Sequence, residues 1–116
     1  MTALMQERCV ACHKGSPRVT VEEMAELKPQ IPEWNLVERD DIPRLERTYR
    51  FKDFVQALAF TNRIGALAEE EGHHPMLVTE YGRVGVSWWT HKIKGLHRND
   101  FIMAAKTDQV YSQYQQ

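Results

Sequence analysis

HHPMLVTEYGRVGVSWWTH, residues 73–91, reads as a β-hairpin with histidines at both ends. Met76 to Glu80 and Arg83 to Thr90 have the composition and alternation of strands, and Gly82 supplies a turn residue between them. Val84, Val86 and Trp88 form the apolar alternate of the second strand. Arg83, Gly85, Ser87, Trp89 and His91 therefore share the face pointing away from the core. Facing residues of an antiparallel pair sum to a constant, so the turn dictates what lies opposite His91. A three-residue turn over Tyr81, Gly82 and Arg83 sets it against His73; a two-residue turn at Gly82 and Arg83 sets it against His74. Pro75 holds His74 extended, which carries the strand direction back through both histidines.

Outward from the hairpin, the pattern predicts alternating helices and strand pairs. Thr20 and Glu23 match a capping box, with Val19 and Met24 placed for a hydrophobic staple, and the helix they open should stop before Pro29. Trp34 to Glu38 and Arg44 to Phe51 alternate as half-buried strands around a break at Asp40, Asp41 and Pro43. From Lys52 to about Glu70, the residues Phe54, Val55, Leu58, Phe60, Ile64, Leu67 and Ala68 recur at helical spacing and predict the principal core helix. Asn99 is the expected N-cap of a last helix whose apolar side is Phe101, Ile102, Ala105 and Val110. The order α-β-β-α-β-β-α predicts an α+β fold, a four-stranded antiparallel sheet with helices packed on one face. Residues 1–18 read as an irregular N-terminal arm and residues 19–116 as one domain.

Composition narrows the function classes. A chain of 116 residues has room for one core, and its formal charge of -1 offers no basic field for a phosphate backbone, so direct nucleic-acid binding is not expected. Nothing approaches the roughly 20 apolar residues of a membrane span, and the N-terminus lacks a secretory apolar stretch. A cytoplasmic protein with no membrane partner is expected.

Three of the five histidines, His73, His74 and His91, thus fall near one end of one hairpin, and Asp100 follows on the same side. Imidazole, with an unperturbed pKa near about 6.5, gives and takes protons at neutral pH without a metal. Glu69, Glu70 and Glu71 sit in the last turn of the core helix, where the macrodipole disfavours them by roughly 0.3 to 1 kcal/mol each. Orienting an imidazole is one reason for such a placement; a solvated helix end is the plain alternative. Asp100 also suits a helix N-terminus whatever else it does. No metal is expected here, because adjacent His73 and His74 chelate poorly from extended backbone. Cys9-Val10-Ala11-Cys12-His13 matches the C-x-x-C-H pattern of haem attachment, but that chemistry requires export. Zinc on Cys9, Cys12 and His13 would lack a complete ligand set, so a reduced arm is the expectation.

The segments EEEGHHP (69–75), Trp89-Thr90-His91 and GLHRND (95–100) resemble those of the pterin-4a-carbinolamine dehydratases, and the similarity runs from about Thr20 to Gln109. The resemblance implies a four-stranded antiparallel sheet covered on one face by helices. It also implies an activity: removal of water from 4a-hydroxytetrahydropterin, the product of aromatic amino acid hydroxylases, to give quinonoid dihydropterin. On that resemblance His73, His74 and His91 are the expected catalytic residues, with Asp100 and Glu69 orienting them. Trp89 and Pro75 are expected at the pterin. No cofactor is implied, since the pterin is the substrate. A homodimer or homotetramer is expected, and some members also serve as dimerisation cofactors for a homeodomain transcription factor. That binding role is the competing reading.

Overall fold

Thr20 Oγ1 accepts from the Glu23 amide (3.1 Å) and the Glu23 carboxylate accepts from the Thr20 amide (3.0 Å), closing the capping box that starts α1, Val21–Leu27. These contacts come from a computed structural model of the chain, which describes residues 3–11 and 14–114. Pro29 does end the α-helix, but the chain continues through it as a 3₁₀ turn, Lys28–Gln30, because proline at the second position of a turn gives up no needed donor.

The first hairpin pairs β1, Asn35–Arg39, with β2, Ile42–Arg50. Its turn is only Asp40 and Asp41, both at positive φ (52° and 64°), a conformation that short polar side chains tolerate. Pro43 belongs to the strand rather than to the break: it faces Glu38 beyond the point where β4 joins β2 at Leu45, so its missing N–H is needed on one side at most.

Asp53 caps α2, Phe54–Glu71, by accepting from the Gln56 amide (2.8 Å), and Gly72 ends it in the left-handed conformation at φ 67°. The buried stripe is Ala57, Phe60, Ile64 and Ala68, a spacing of three and four residues that stays on one side of the helix. Phe54, Val55 and Leu58, expected on that face, are exposed (44%, 75% and 43%). Ala57 takes the core position because a small residue lets α2 approach the sheet, and Val55 and Leu58 then fall on the far side.

The second hairpin joins β3, Met76–Glu80, to β4, Arg83–Trp88. The sheet is four-stranded and antiparallel, as the pattern predicted, and its strands lie in the order β1-β2-β4-β3. α2 lies over β3 and β4, and the last helix, α3 (Arg98–Ser112), lies over β2 and β4. Val84, Val86 and Trp88 point into the core with Leu45 and Tyr49.

The turn matches neither expected register. Glu80 faces Arg83, so Tyr81 and Gly82 are the turn, and continuing that register would put Gly72, not a histidine, opposite His91. Gly82 is required there: its φ is 75°, and a side chain would come 3.3 Å from the Phe51 carbonyl oxygen. β4 also stops at Trp88, two residues earlier than expected. Thr90 and Gly95 exchange backbone hydrogen bonds (2.9 and 3.4 Å), and His91–Ile93 form a 3₁₀ turn between them. Among the described residues no helix is long and apolar enough to cross a membrane.

Candidate active site

A cavity of about 200 Å³ opens at the end of the sheet where α2, β4 and α3 meet. His73, His74 and His91 all line it, with Gly72, Thr90, Lys92, Asn99 and Val10. Cross-strand pairing does not bring them together. Gly72 turns the chain out of α2 just before His73 and His74, and the 3₁₀ turn after β4 carries His91 to the same opening.

The three imidazoles have different surroundings. His73 is buried (8% exposed), stacked on Trp88 with 5.6 Å between centroids and 8° between planes, and its Nε2 lies 2.6 Å from Asp100 Oδ1. Asp100 is fully buried and accepts on Oδ2 from the Thr90 hydroxyl (2.8 Å) and the His97 amide (2.9 Å). His74 is exposed, with Nε2 2.5 Å from Glu69 Oε2. His91 is exposed, tilted against Trp89 at 4.5 Å, with no carboxylate partner among the described residues. A carboxylate only accepts, so the neutral rings of His73 and His74 carry hydrogen on Nε2 and a lone pair on Nδ1.

Asp100 therefore has three attachments: it orients His73, accepts from Thr90 and closes a capping box with His97, the N-cap of α3. Asn99, the expected cap, lies inside the helix instead. Its buried amide accepts from Val10 N (3.1 Å) and donates to Val10 O (2.8 Å), clamping the arm at the cavity rim. His97 can cap because burial holds its imidazole below the ordinary pKa, against the raising effect of Asp100, and its Nδ1 accepts from the Asn99 amide (3.0 Å). Of the three glutamates, Glu69 meets His74. Glu71 accepts from the Cys9 amide (2.9 Å) and from Lys106 (3.2 Å). Burial pushes the Glu71 carboxyl up, but the Cys9 amide and Lys106 bring it below its usual range.

Trp89 and Pro75 lie outside the cavity lining. Trp89 is buried beneath the Arg44 guanidinium, 4.0 Å from its ring centroid, and supports His91 from behind. Pro75 is half-buried and sets the backbone of His74. Sequence reasoning missed Val10, Asn99, Thr90 and Lys92 as lining residues. Val10 and Asn99 stand 89 positions apart, and nothing in either residue's neighbourhood signals the other. Among the described residues no group of three or more His, Cys, Asp or Glu is arranged for a metal ion; Cys12 and His13 lie outside the described residues.

The model of the pterin 4 alpha carbinolamine dehydratase family matches residues 17–110. The chain belongs to that family. It is 57% identical over 110 residues to a protein of Nitrosococcus oceani named "Putative pterin-4-alpha-carbinolamine dehydratase", covering 95% of this chain and 97% of that one. A similarly named protein of Gloeobacter violaceus is 60% identical over 110 residues, 95% of each chain. Among solved structures, the transcriptional coactivator/pterin dehydratase of Brucella melitensis superposes with a TM-score of 0.72 at 32% identity, covering 81% of this chain and 98% of that one. A pterin dehydratase-like protein described as a RuBisCO assembly factor in the alpha-carboxysome superposes with a TM-score of 0.55 at 25% identity, covering 66% and 88%. Within the family match, the residues lining the cavity come from three separate segments, 72–74, 90–92 and Asn99; Val10 lies before its start.

Proposed function

We propose that the chain is a hydro-lyase that converts 4a-hydroxytetrahydropterin to quinonoid dihydropterin and water by histidine acid and base catalysis. The observation that carries the reading is the convergence of three imidazoles on one cavity, two of them held by carboxylates and one not. The C4a–O bond breaks as the oxygen takes a proton from an imidazolium and leaves as water. The N5 lone pair forms the C4a=N5 bond, and the N5 proton passes to a neutral imidazole. His73 and His74, with Nδ1 lone pairs, suit the accepting role; His91, with no carboxylate on either nitrogen among the described residues, suits the donating one. Each well-placed transfer is worth about 10²- to 10⁴-fold. The reaction changes no oxidation state overall, so it calls for no redox cofactor, and the pterin is substrate rather than prosthetic group.

In this reading the chain recycles the pterin of an aromatic amino acid hydroxylase in the cytoplasm. Self-association to a dimer or tetramer is supported by the open edges of β1 and β3 and by the exposed Phe54, Val55 and Leu58 on α2. The same surfaces favour the second reading, a protein-binding module like the coactivator named for the Brucella relative.

Separate His73→Ala, His74→Ala and His91→Ala variants decide between the readings. Dehydration followed by stopped-flow absorbance should fall at least about 100-fold in each, while sedimentation shows the wild-type assembly. Full activity in all three would refute the catalytic reading and leave the binding one.

A further inference from the structure

A second, shallower cavity of about 370 Å³ lies beside the histidines and is lined by Lys14, Ser16, Arg18, Lys92 and Lys94 among others. Among the described residues its lining has four cations and no carboxylate, in a chain whose formal net charge is -1. Lys92 lines both cavities, so the two are neighbours that share a wall.

The fold fixes part of this basic cluster. Arg18 donates from Nε (3.0 Å) and Nη2 (2.7 Å) to the Ile93 carbonyl, which anchors its guanidinium beside the 91–95 turn. It occupies the space above Gly95, where a side chain would approach Arg18 Nε to 2.8 Å. Lys94 sits at φ 49°, a left-handed conformation that crowds the Cβ of any residue other than glycine, and there it joins the cavity. Lys14, Arg18 and Lys94 have no carboxylate within ion-pair distance among the described residues. Like charges gathered without counter-charge repel one another, and an anion among them relieves that repulsion.

The histidine cavity, at about 200 Å³, is smaller than the roughly 300–1,000 Å³ that encloses a whole drug-sized ligand. A ring bound there leaves its substituent outside. We propose that the basic cavity receives an anionic end group, a phosphate monoester or a carboxylate, on the side chain of the pterin whose ring lies among the histidines. The inference rests on the dehydratase reading and adds the substrate class. Lysine ammonium groups bind either anion as point charges, so the cluster selects for charge rather than for one geometry.

The test compares stable dihydropterins that share a ring and carry a neutral hydroxyalkyl chain, its phosphate monoester or a carboxylate-ended chain. Affinities are measured by fluorescence titration at low and high salt. At least one anionic ligand should bind about tenfold tighter than the neutral one at low salt, with the gap shrinking as salt screens these exposed charges. The larger gap names the end group. The double variant Lys14→Gln, Lys94→Asn, in which asparagine keeps the left-handed turn, should reduce the preference to about twofold. It should leave unchanged both affinity for the neutral ligand and the dehydration rate of the 4a-hydroxytetrahydropterin that carries the same neutral chain. Equal binding of all three by the wild type, or a preference undiminished in the double variant, overturns the inference and leaves the dehydratase reading standing. Failure of every dihydropterin to bind overturns both.

Discussion

Replacing Asp100 by asparagine should reverse the position of one proton while preserving the shape of the core. Asp100 is fully buried; Oδ2 serves the His97 amide (2.9 Å) and the Thr90 hydroxyl (2.8 Å), and Oδ1 serves His73 Nε2 (2.6 Å). The His97 amide is a backbone donor and cannot change role. The carbonyl oxygen of the substituted side chain must therefore take the Oδ2 place, which leaves its NH₂ opposite His73 Nε2. Two donors cannot face each other, so His73 must accept at Nε2 and carry its hydrogen on Nδ1. The proton-accepting atom is then lost. General-base catalysis is worth about 10²- to 10⁴-fold, or about 3 to 5 kcal/mol of barrier, and kcat should fall by that factor. Exchanging hydrogen bonds to a charged acceptor for neutral ones should lower stability by about 1.5 to 3 kcal/mol. Stopped-flow dehydration measures the first effect, urea unfolding the second, and ¹⁵N shifts of the His73 ring report the tautomer. A tautomer that inverts while kcat stays within about threefold of wild type would refute the assignment of His73 as acceptor.

Three further outcomes follow from other contacts. Asp108→Ala removes the acceptor shared by Trp34 Nε1, Arg47 and the buried Tyr49 hydroxyl; stability should drop by about 2 to 4 kcal/mol in urea unfolding, since the phenol, which burial holds far above its ordinary pKa, stays a neutral donor without a partner. Asn99→Ala releases both backbone groups of Val10, so amide exchange at Val10 should accelerate by about tenfold or more and KM should rise more than kcat falls; unchanged protection would show that the arm is held without the clamp. The Glu7 carboxyl is held below its usual value of 4.5 by its hydrogen bonds from Arg98. A depressed carboxylate stabilises the fold above its unfolded pKa and loses that contribution as pH falls through the folded one. Docking of residues 3–11 should therefore weaken in acid below 4.5, seen as faster exchange there, and Arg98→Leu should flatten that pH dependence.

Legibility varied with the range of the interaction. Capping at Thr20 and Glu23, the alternation of Val84, Val86 and Trp88, and the succession of helices and strand pairs are consequences of neighbours within a few positions, and the sequence showed them. The hairpin register differs from both expected ones because Tyr81 and Gly82 form the turn, neither Gly82 and Arg83 nor all three of Tyr81, Gly82 and Arg83. A glycine marks a turn without saying which of its positions it fills. The N-cap of α3 was misplaced for a related reason: histidine is an uncommon cap, and what frees His97 for that task is burial, which spacing does not report. Phe54, Val55 and Leu58 read as core because they are apolar, yet the approach of Ala57 to the sheet decides which side of α2 is covered.

The residue types at the site and the elements that carry them are legible along the chain: three histidines beside one hairpin, and carboxylates near both ends of the segment. Periodicity and residue chemistry are local, and they survive without coordinates. The folded chain brings the imidazoles around one cavity through the turns at Gly72 and Thr90 rather than across paired strands. It alone paired His73 with Asp100 and His74 with Glu69, brought Val10 onto Asn99, and set a cluster of cations beside the histidines. Contacts between distant segments depend on how helices and sheet pack, and packing is a property of the whole chain.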